Sequence, residues 1–348
     1  HYLENPGKPS KSMKKKSKDE KGNRCIQSKI DCKNTFLIID EAHNLKCLTG
    51  TKYKYIIQCA KQCFRVLLLT ATPVLNRPSE IISIMGDDSE FKKYFACKIS
   101  YFKNNSSEGY PSVRNHNVEM RMTPEYYTGY KQIEDEILIN DIWKAGDRTV
   151  FYNGVRRASN SIDKEDGHKI NWILDKIRTE NKKNPRNKTL IYSNWKGFGV
   201  NLIMSKLEEN GISYGLVSGD VSKTNRTKAV NDYNTGKLNV LFITSAGGEG
   251  LDLKGTRNII IMEPSWNDAD LEQVRGRGIR YKSHVHLPKN EQIVDVWNII
   301  LKKPLGIPAE DGLESVDEYL TNMSIRKKKE LDEFMRRLEN VSIEKLKC

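Results

Sequence analysis

The sequence has no long hydrophobic run and no repeated C-x-x-C pair. Its 348 residues contain nothing close to the roughly 18 consecutive apolar residues of a membrane-spanning helix. No apolar segment follows a basic start, as it would in a signal peptide. The seven cysteines are odd in number and scattered, which excludes a zinc ribbon and argues against a disulfide framework. We therefore expect an intracellular, soluble protein with reduced thiols and no membrane partner.

Apolar and charged residues are both present in ordinary globular proportions. Hydrophobic residues make up 37% of the chain and charged residues 30%, which is enough apolar material for two cores. The formal net charge is 58 − 45 = +13, which favours a polyanionic partner such as nucleic acid. Residues 1–33 carry ten basic and four acidic side chains and read as a basic loop or insertion.

Short apolar runs alternate with helical patterns along most of the chain. Runs at 35–39 and 65–69 flank helical spacing at 53–64, which predicts parallel strands joined by a helix. From 97 to 165 the sequence shows no clear alternation of apolar runs and helical patterns, and the alternation begins again at 188. From there it predicts strands at 188–192, 214–218, 238–243 and 257–262 and helices at 197–210 and 223–235. The fold class is therefore α/β with parallel sheets, and 315–347 reads as a pair of amphipathic helices.

Two adjacent carboxylates end the first of these strands. Burying a strand that finishes in Asp40 and Glu41 is costly unless the pair holds a cation or serves a reaction. Asp40 is suited to holding Mg²⁺, and Glu41 to orienting and deprotonating a water that attacks a γ-phosphate. The alternative is an acidic cap that opens a helix.

About thirty residues further on, a second apolar strand ends in Thr70-Ala71-Thr72-Pro73. On its own this segment could be a turn with proline at the start of a helix. Its distance from the Asp-Glu-Ala-His string at 40–43 favours a functional pairing of the two strand ends.

The second half has a small-residue loop and a basic helix. The loop at 244–253 follows a strand and could expose backbone N–H groups to a phosphate. Downstream, Arg277 and Arg280 are three residues apart, so a helix would project both from one face toward transferring phosphoryl charge. The alternative is a solvated basic helix face.

Together, six ordered segments resemble motifs II, III, IV, Va, V and VI of superfamily 2 helicases. They are 40–43, 70–73, 191–195, 217–219, 244–253 and 273–280, and the resemblance covers about residues 35–300. The character is Swi/Snf-like. The string from Ile279 to Pro288 and the tail are similar to helicases of large DNA viruses, of the type of poxvirus nucleoside triphosphatase I and the early transcription factor small subunit.

The resemblance implies two RecA-like lobes with ATP between them. These are the rear part of an incomplete first lobe with a linker (34–166) and a complete second lobe (167–303), followed by a C-terminal helical extension (304–348). ATP and Mg²⁺ are the implied cofactors. The implied catalytic residues are Asp40, Glu41, Gln273, Arg277 and Arg280, of which Asp40 and Glu41 hold Mg²⁺. The implied coupling residues are His43, Thr70 and Thr72, and Gly250 and Asp252 face ATP from the second lobe. The implied nucleic-acid track is Ser193, Trp195, Ser218, Gly219 and Thr244.

The Walker A sequence that cradles the phosphates in this superfamily is missing. The nearest string, Pro6-Gly7-Lys8-Pro9-Ser10, has no strand before it and has proline in place of the hydroxyl residue. We therefore expect an N-terminally truncated sequence that alone hydrolyses little ATP.

The expected function is an ATP-dependent helicase or translocase in viral transcription or DNA metabolism. DNA is the expected track, although phosphate contacts alone leave DNA and RNA open. The alternative is a non-catalytic scaffold subunit that binds DNA, RNA polymerase or transcription factors. A nuclease or restriction motor subunit would need a further domain. For a viral protein the expected location is a cytoplasmic virus factory or the virion.

Two smaller features are interpreted structurally. Cys59 and Cys63 lie four apart with no histidine nearby and are expected to be core thiols. His284 and His286 are expected to shape the loop after the basic helix.

Overall fold

The structure of the protein is a computed structural model. It describes residues 16–18, 24–26, 32–45, 51–70, 95–102, 107–143, 148–245, 251–266, 268–307 and 314–348. The chain divides into two compact units, the first formed by residues 1–101 with 330–348 and the second by residues 102–329.

The described elements alternate as the sequence predicts over residues 35–69 and 188–262. The strands are β1 (Lys16–Lys18), β2 (Arg24–Ile26), β3 (Phe36–Ile39), β4 (Arg65–Leu68), β5 (Ser112–Arg121), β6 (Lys188–Tyr192), β7 (Tyr214–Val217), β8 (Val240–Ile243), β9 (Thr256–Ile261) and β10 (Ile293–Lys302). The helices are α1 (Thr51–Ala60), α2 (Pro124–Trp143), α3 (Arg148–Ala158), α4 (His168–Lys183), α5 (Asn201–Glu209), α6 (Lys223–Asn234), α7 (Asp268–Gly278), α8 (Val316–Asn340) and α9 (Ile343–Leu346). The antiparallel pair β1–β2 lies in the segment expected to be a loop, and β5, β10, α2 and α3 were not predicted.

A six-stranded sheet in the order β5-β10-β9-β6-β8-β7 organises the second unit. Every neighbouring pair in it is parallel. All residues of β6 and β8 are buried, because helices cover both faces of the sheet. One core includes Ile173, Ile203 and Phe242, and the other includes Leu241 and Val274. The predicted α/β class is therefore confirmed.

Strand β5 lies in the segment that the sequence analysis assigns to the first lobe and linker. It pairs in parallel with β10 along its whole length, from Ser112 with Ile293 to Arg121 with Lys302, and it belongs to the second unit, residues 102–329. The strand is an edge strand whose residues are mostly exposed. It therefore lacks the apolar run that marks the central strands.

The first unit contains a β-α-β element. Strands β3 and β4 are parallel, with Phe36 opposite Arg65 and Ile39 opposite Leu68, and α1 connects them. Both strands carry exposed apolar side chains, including Phe36 and Ile38, which are 58% and 55% exposed. The parallel arrangement brings the carboxyl ends of both strands to the same edge of the sheet.

The sequence predicts a pair of helices in the C-terminal region, and the structure has two helices of very unequal length there. Helix α8 has 25 residues, and the short α9 follows it. In the second unit, Val316 and Leu320 pack with Tyr130. In the first unit, Phe334 and Leu338 pack with Phe95. The apolar periodicity of the sequence is continuous along α8, so it does not reveal that the two ends of this helix pack in different hydrophobic cores.

The expectation of reduced thiols is wrong for four cysteines. Disulfides join Cys32 to Cys59 and Cys97 to Cys348, with Cα–Cα distances of 5.3 and 5.7 Å. The partners are 27 and 251 residues apart in sequence, so spacing gave no sign of the pairing. Cys63 is a free, partly exposed thiol.

None of the helices within the described ranges combines the length and apolar character that a membrane crossing requires.

Candidate nucleotide and nucleic-acid site

The acidic pair lies directly after β3, at the carboxyl edge of the two-stranded sheet. Asp40 and Glu41 are both exposed. The backbone N–H of Glu41 donates to Oδ1 of Asp40 at 2.9 Å. Glu41 has a φ of 51°, in the left-handed region that few non-glycine residues adopt. The chain turns sharply here, and the N–H of Ala42 reaches the carbonyl of Leu69 at 3.0 Å.

This turn fits a magnesium ion. Mg²⁺ is usually held by one or two carboxylates and several waters, and both carboxylates here are open to solvent. The N–H of Leu69 donates to the carbonyl of Ile39 at 2.8 Å, so Thr70 follows immediately beside the acidic turn. Thr72 and the side chain of His43 lie outside the described residues, and the backbone of His43 belongs to a short 3₁₀ helix, Ala42–Leu45.

In the second unit, a cavity of about 200 Å³ opens at the carboxyl ends of β6 and β8, beside α7. It brings Thr244 together with Gln273 and Arg277, three residues that the sequence analysis singled out. Sequence reasoning missed the other polar side chains of its lining, Tyr192, Asn194, Ser245 and Asp270. Guanidinium, amide and hydroxyl groups that converge at strand ends can hold a phosphate chain.

Arg277 and Arg280 do not share a helix face, so that expectation is wrong. Helix α7 ends at Gly278, where an added Cβ would lie 3.1–3.2 Å from Ile259 and Thr256 of β9. Arg280 follows in a turn, and its Nη1 lies 3.9 Å from Oδ1 of Asp252. Both side chains are well exposed, so this ion pair contributes little stability. Gly250 lies outside the described residues.

Three residues assigned to the nucleic-acid track are buried, namely Ser193, Ser218 and Thr244. Ser193 is fully buried, and its Oγ donates to Oε1 of Glu263 at 2.6 Å. Ser218 is also buried, and its hydroxyl bonds to Asp220. The hydrogen bond from Lys196 lowers the pKa of Asp220 to about 2. Ser193 and Ser218 are therefore placed to hold the strand ends rather than to touch a ligand directly.

Of the five track residues, Gly219 and Trp195 reach the surface, to different degrees. Gly219 is exposed, whereas Thr244 is 5% exposed and its N–H donates to the carbonyl of Val217 at 3.1 Å. Trp195 is half-buried, and the guanidinium carbons of Arg156 and Arg157 lie 5.6 and 5.0 Å from its ring centre. Aromatic rings flanked by arginine are typical of surfaces that bind nucleic acid.

A buried polar network lies behind these strand ends, and sequence reasoning missed it. Glu263 accepts a hydrogen bond from Asn160 at 3.0 Å, and burial raises the pKa of the Glu263 carboxyl. The ammonium of Lys169 donates to Oδ1 of Asn160 at 3.1 Å and pairs with Asp317 at 2.6 Å. Because Glu263, Asn160 and Lys169 carry no motif, only their burial in the fold reveals the network.

The comparisons with known proteins agree with this arrangement. Residues 168–282 match the helicase conserved C-terminal domain. The chain is 32% identical to "Putative ATP-dependent RNA helicase L538" of Acanthamoeba polyphaga mimivirus, over 90% of this chain and 78% of that protein. It is 26% identical to "Putative ATP-dependent RNA helicase R563" of the same virus, over 84% of this chain and 64% of that protein.

A bacterial protein, "Uncharacterized ATP-dependent helicase YqhH" of Bacillus subtilis, is 25% identical over 76% of this chain and 55% of its own length. The identity and coverage shared with the first mimivirus protein, together with the matched C-terminal domain, establish the family. The chain belongs to the superfamily 2 helicases.

Proposed function

We propose that the chain works as the motor portion of an ATP-dependent translocase of Swi/Snf-like type that moves along nucleic acid, with DNA as its track. The main support is the 200 Å³ cavity that gathers Thr244, Gln273 and Arg277 at the strand ends of the second unit. In the first unit, the exposed Asp40–Glu41 turn is suited to holding Mg²⁺ and activating water, which also supports the proposal.

Each group has a distinct task in this proposal. The Mg²⁺ ion would neutralise charge on the β- and γ-phosphates, and the carboxylate of Glu41 would take the proton of the attacking water. Gln273 and Arg277 would donate hydrogen bonds to phosphate oxygens, and Arg280 would add charge after leaving Asp252. Thr70 and Thr72 would couple hydrolysis to movement, with His43 relaying the nucleotide state.

The nucleic-acid track would be lined by Gly219 and Trp195 at the surface, and the buried Thr244 would contribute as a residue of the cavity lining. Ser193 and Ser218 would act from beneath, since both are buried and hydrogen-bonded to carboxylates. Contacts of this kind meet the sugar–phosphate backbone and read no base sequence. The mimivirus relatives are named RNA helicases, so RNA is the alternative track that the experiment must separate from DNA.

The test measures ATP hydrolysis and nucleic-acid binding by the purified 348-residue chain. We expect binding to single- or double-stranded DNA that weakens with salt, and little ATP turnover, because no phosphate-cradling Gly-Lys-Ser/Thr loop is present in the sequence. Preference for RNA of matched length would overturn DNA as the track. DNA-stimulated turnover that disappears in Glu41→Gln would overturn the expected slow hydrolysis and support the motor function directly.

A scaffold role in a transcription complex is the second candidate, favoured by the missing phosphate cradle. It predicts that Trp195→Ala weakens DNA binding while Arg277→Ala leaves ATP affinity unchanged. A motor predicts that both substitutions act, each on its own ligand.

A further inference from the structure

Three cysteine sulfurs come together at the edge of the two-stranded sheet opposite the acidic turn. Cys32 precedes β3, Cys59 lies in the last turn of α1, and Cys63 precedes β4. Their Sγ atoms all lie within 4.8 Å of one another. The parallel β-α-β connection produces this cluster, because it returns the chain from α1 to the starting edge of β3.

The sulfur geometry suits a thiophilic metal once the disulfide is reduced. Zinc–thiolate bonds of about 2.3 Å place tetrahedral sulfurs roughly 3.8 Å apart. The Sγ atoms of Cys59 and Cys63 are already 3.9 Å apart. Cys32 and Cys59 are joined as a disulfide with a Cα–Cα distance of 5.3 Å, so reduced side chains can separate by rotation about their Cα–Cβ bonds.

The third thiol is what distinguishes this cluster from an ordinary disulfide. A structural disulfide needs only Cys32 and Cys59, yet Cys63 keeps a free thiol beside them. Its sulfur lies 3.2 Å from Oγ1 of Thr35 and is partly exposed, which leaves a route for an ion and space for a water as fourth ligand.

We propose that the reduced protein binds one zinc ion through the thiolates of Cys32, Cys59 and Cys63. Zinc displaces the three thiol protons, and the Cys32–Cys59 disulfide is the oxidised, metal-free form of the same site. A phosphine reduces this disulfide. The phosphorus is oxidised to the phosphine oxide with the oxygen of one water molecule, and the two protons of that water go to the two thiols. The site is separate from the magnesium site, because soft thiolates select zinc and hard carboxylates select Mg²⁺.

Bound zinc ties together the amino ends of β3 and β4 and the last turn of α1. The acidic turn lies at the other end of β3, four strand residues away, or about 13 Å at 3.3 Å per residue. The metal therefore positions the strands that carry Asp40 and Thr70 without touching the reacting groups.

Cobalt titration tests the proposal, since Co²⁺ reports thiolate ligation by charge-transfer absorption in the near ultraviolet. The full chain is reduced with a phosphine, desalted without oxygen and titrated with Co²⁺. We expect saturation at one ion per chain with three thiolates, and displacement by Zn²⁺. Cys63→Ser should weaken Co²⁺ binding at least tenfold, whereas the matched control Cys97→Ser/Cys348→Ser should bind as the unmodified chain does.

Circular dichroism of the same samples shows that each variant is folded. Absence of a saturable thiolate band in the unmodified, folded chain would overturn the proposal without any variant. A band that is unchanged in Cys63→Ser, or that is lost in Cys25→Ser or Cys47→Ser alone, would overturn it as well.

Discussion

The hydroxyl of Ser193 donates a 2.6 Å hydrogen bond to Glu263, whose side chain is only 1% exposed. Ser193 directly follows β6 and Glu263 follows β9, so the bond joins the ends of two neighbouring strands at the edge where the candidate site lies. The same hydroxyl accepts from the N–H of Trp195 at 3.1 Å. A residue expected at a nucleic-acid surface thus holds a buried carboxylate and sets the turn that presents Trp195.

Ser193→Ala should lower the free energy of unfolding by about 1–3 kcal/mol, because it leaves the buried Glu263 carboxylate without one of its donors. Denaturant unfolding of the purified chain measures the change. Ser213→Ala is the matched control, since Ser213 is exposed and its loss should cost less than about 0.5 kcal/mol. Equal effects of the two substitutions would show that the Glu263 bond contributes nothing special.

The buried ion pair of Lys169 and Asp317 gives a second prediction. The two side chains are 0% and 1% exposed and lie 2.6 Å apart. Asp317→Ala should cost about 3–5 kcal/mol, because the ammonium of Lys169 remains buried without its counter-charge. The double variant Lys169→Met/Asp317→Leu should be more stable than Asp317→Ala, because it removes both charges.

Asp232→Ala provides a more exposed comparison for this ion pair, because the Asp232 side chain is 23% exposed. Its partner Lys237 is 73% exposed and lies 3.8 Å away, so we expect a loss below about 1 kcal/mol by the same unfolding measurement. A double variant as unstable as Asp317→Ala would mean that lost packing and the lost hydrogen bond from the N–H of Leu301 at 2.9 Å, and not the unpaired charge, cause the destabilisation.

The sequence predicts the central strands well and three of the residues that line the cavity, for a definite physical reason. Strands such as β8 are buried on both faces and therefore read as continuous apolar runs. Gln273 and Arg277 were found because motif VI keeps them close together on one helix, and that helix packs beside the strand ends.

The rest depends on contacts between residues that are distant in sequence. The exposed strand β5 is recognised only through its pairing with β10, about 180 residues later. Glu263 and Lys169 carry no motif, and their roles follow from burial alone. Likewise, the link between Cys32 and Cys59 follows from the parallel β-α-β connection, which composition cannot reveal.

His284 should make stability depend on pH in the weakly acidic range. Burial lowers the pKa of this imidazole, and the nearby cations Arg257, His286 and Lys188 lower it further, against the bond to the carbonyl of Thr256 at 2.7 Å. The unfolded chain therefore takes up the proton first. Stability is complete above the unfolded pKa of about 6.5 and falls as pH drops toward the lowered native value.

Unfolding free energies measured between pH 7.5 and 5 check this expectation. Relative to His284→Gln, the unmodified chain should lose additional stability of up to about 1.4 kcal/mol per pH unit in this window. The other histidines are the same in both proteins, so the difference isolates His284. Parallel curves would contradict the assignment.

Arg275 and Arg277 lie two residues apart on α7, and replacing them by alanine should affect different properties, namely stability for Arg275 and ATP affinity for Arg277. Arg275 is 15% exposed and bonds to Asp268 at 3.1 Å and to the amide oxygen of Asn298 at 3.1 Å, which ties α7 to β10. Arg275→Ala should therefore lower the unfolding free energy by about 1–3 kcal/mol, as expected for the loss of a partly buried charged network.

Arg277 lines the 200 Å³ cavity together with Gln273, so Arg277→Ala should act on the ligand. We expect a stability change below about 1 kcal/mol and a loss of at least about tenfold in ATP affinity, as when one charged hydrogen-bond donor to phosphate is removed. Ligand-observed NMR with millimolar ATP measures even weak affinity. Since both arginines carry the same charge on the same helix, a nonspecific electrostatic effect would weaken ATP binding equally in the two variants. A larger loss of ATP affinity in Arg277→Ala than in Arg275→Ala would therefore indicate that Arg277 contacts ATP directly at the cavity.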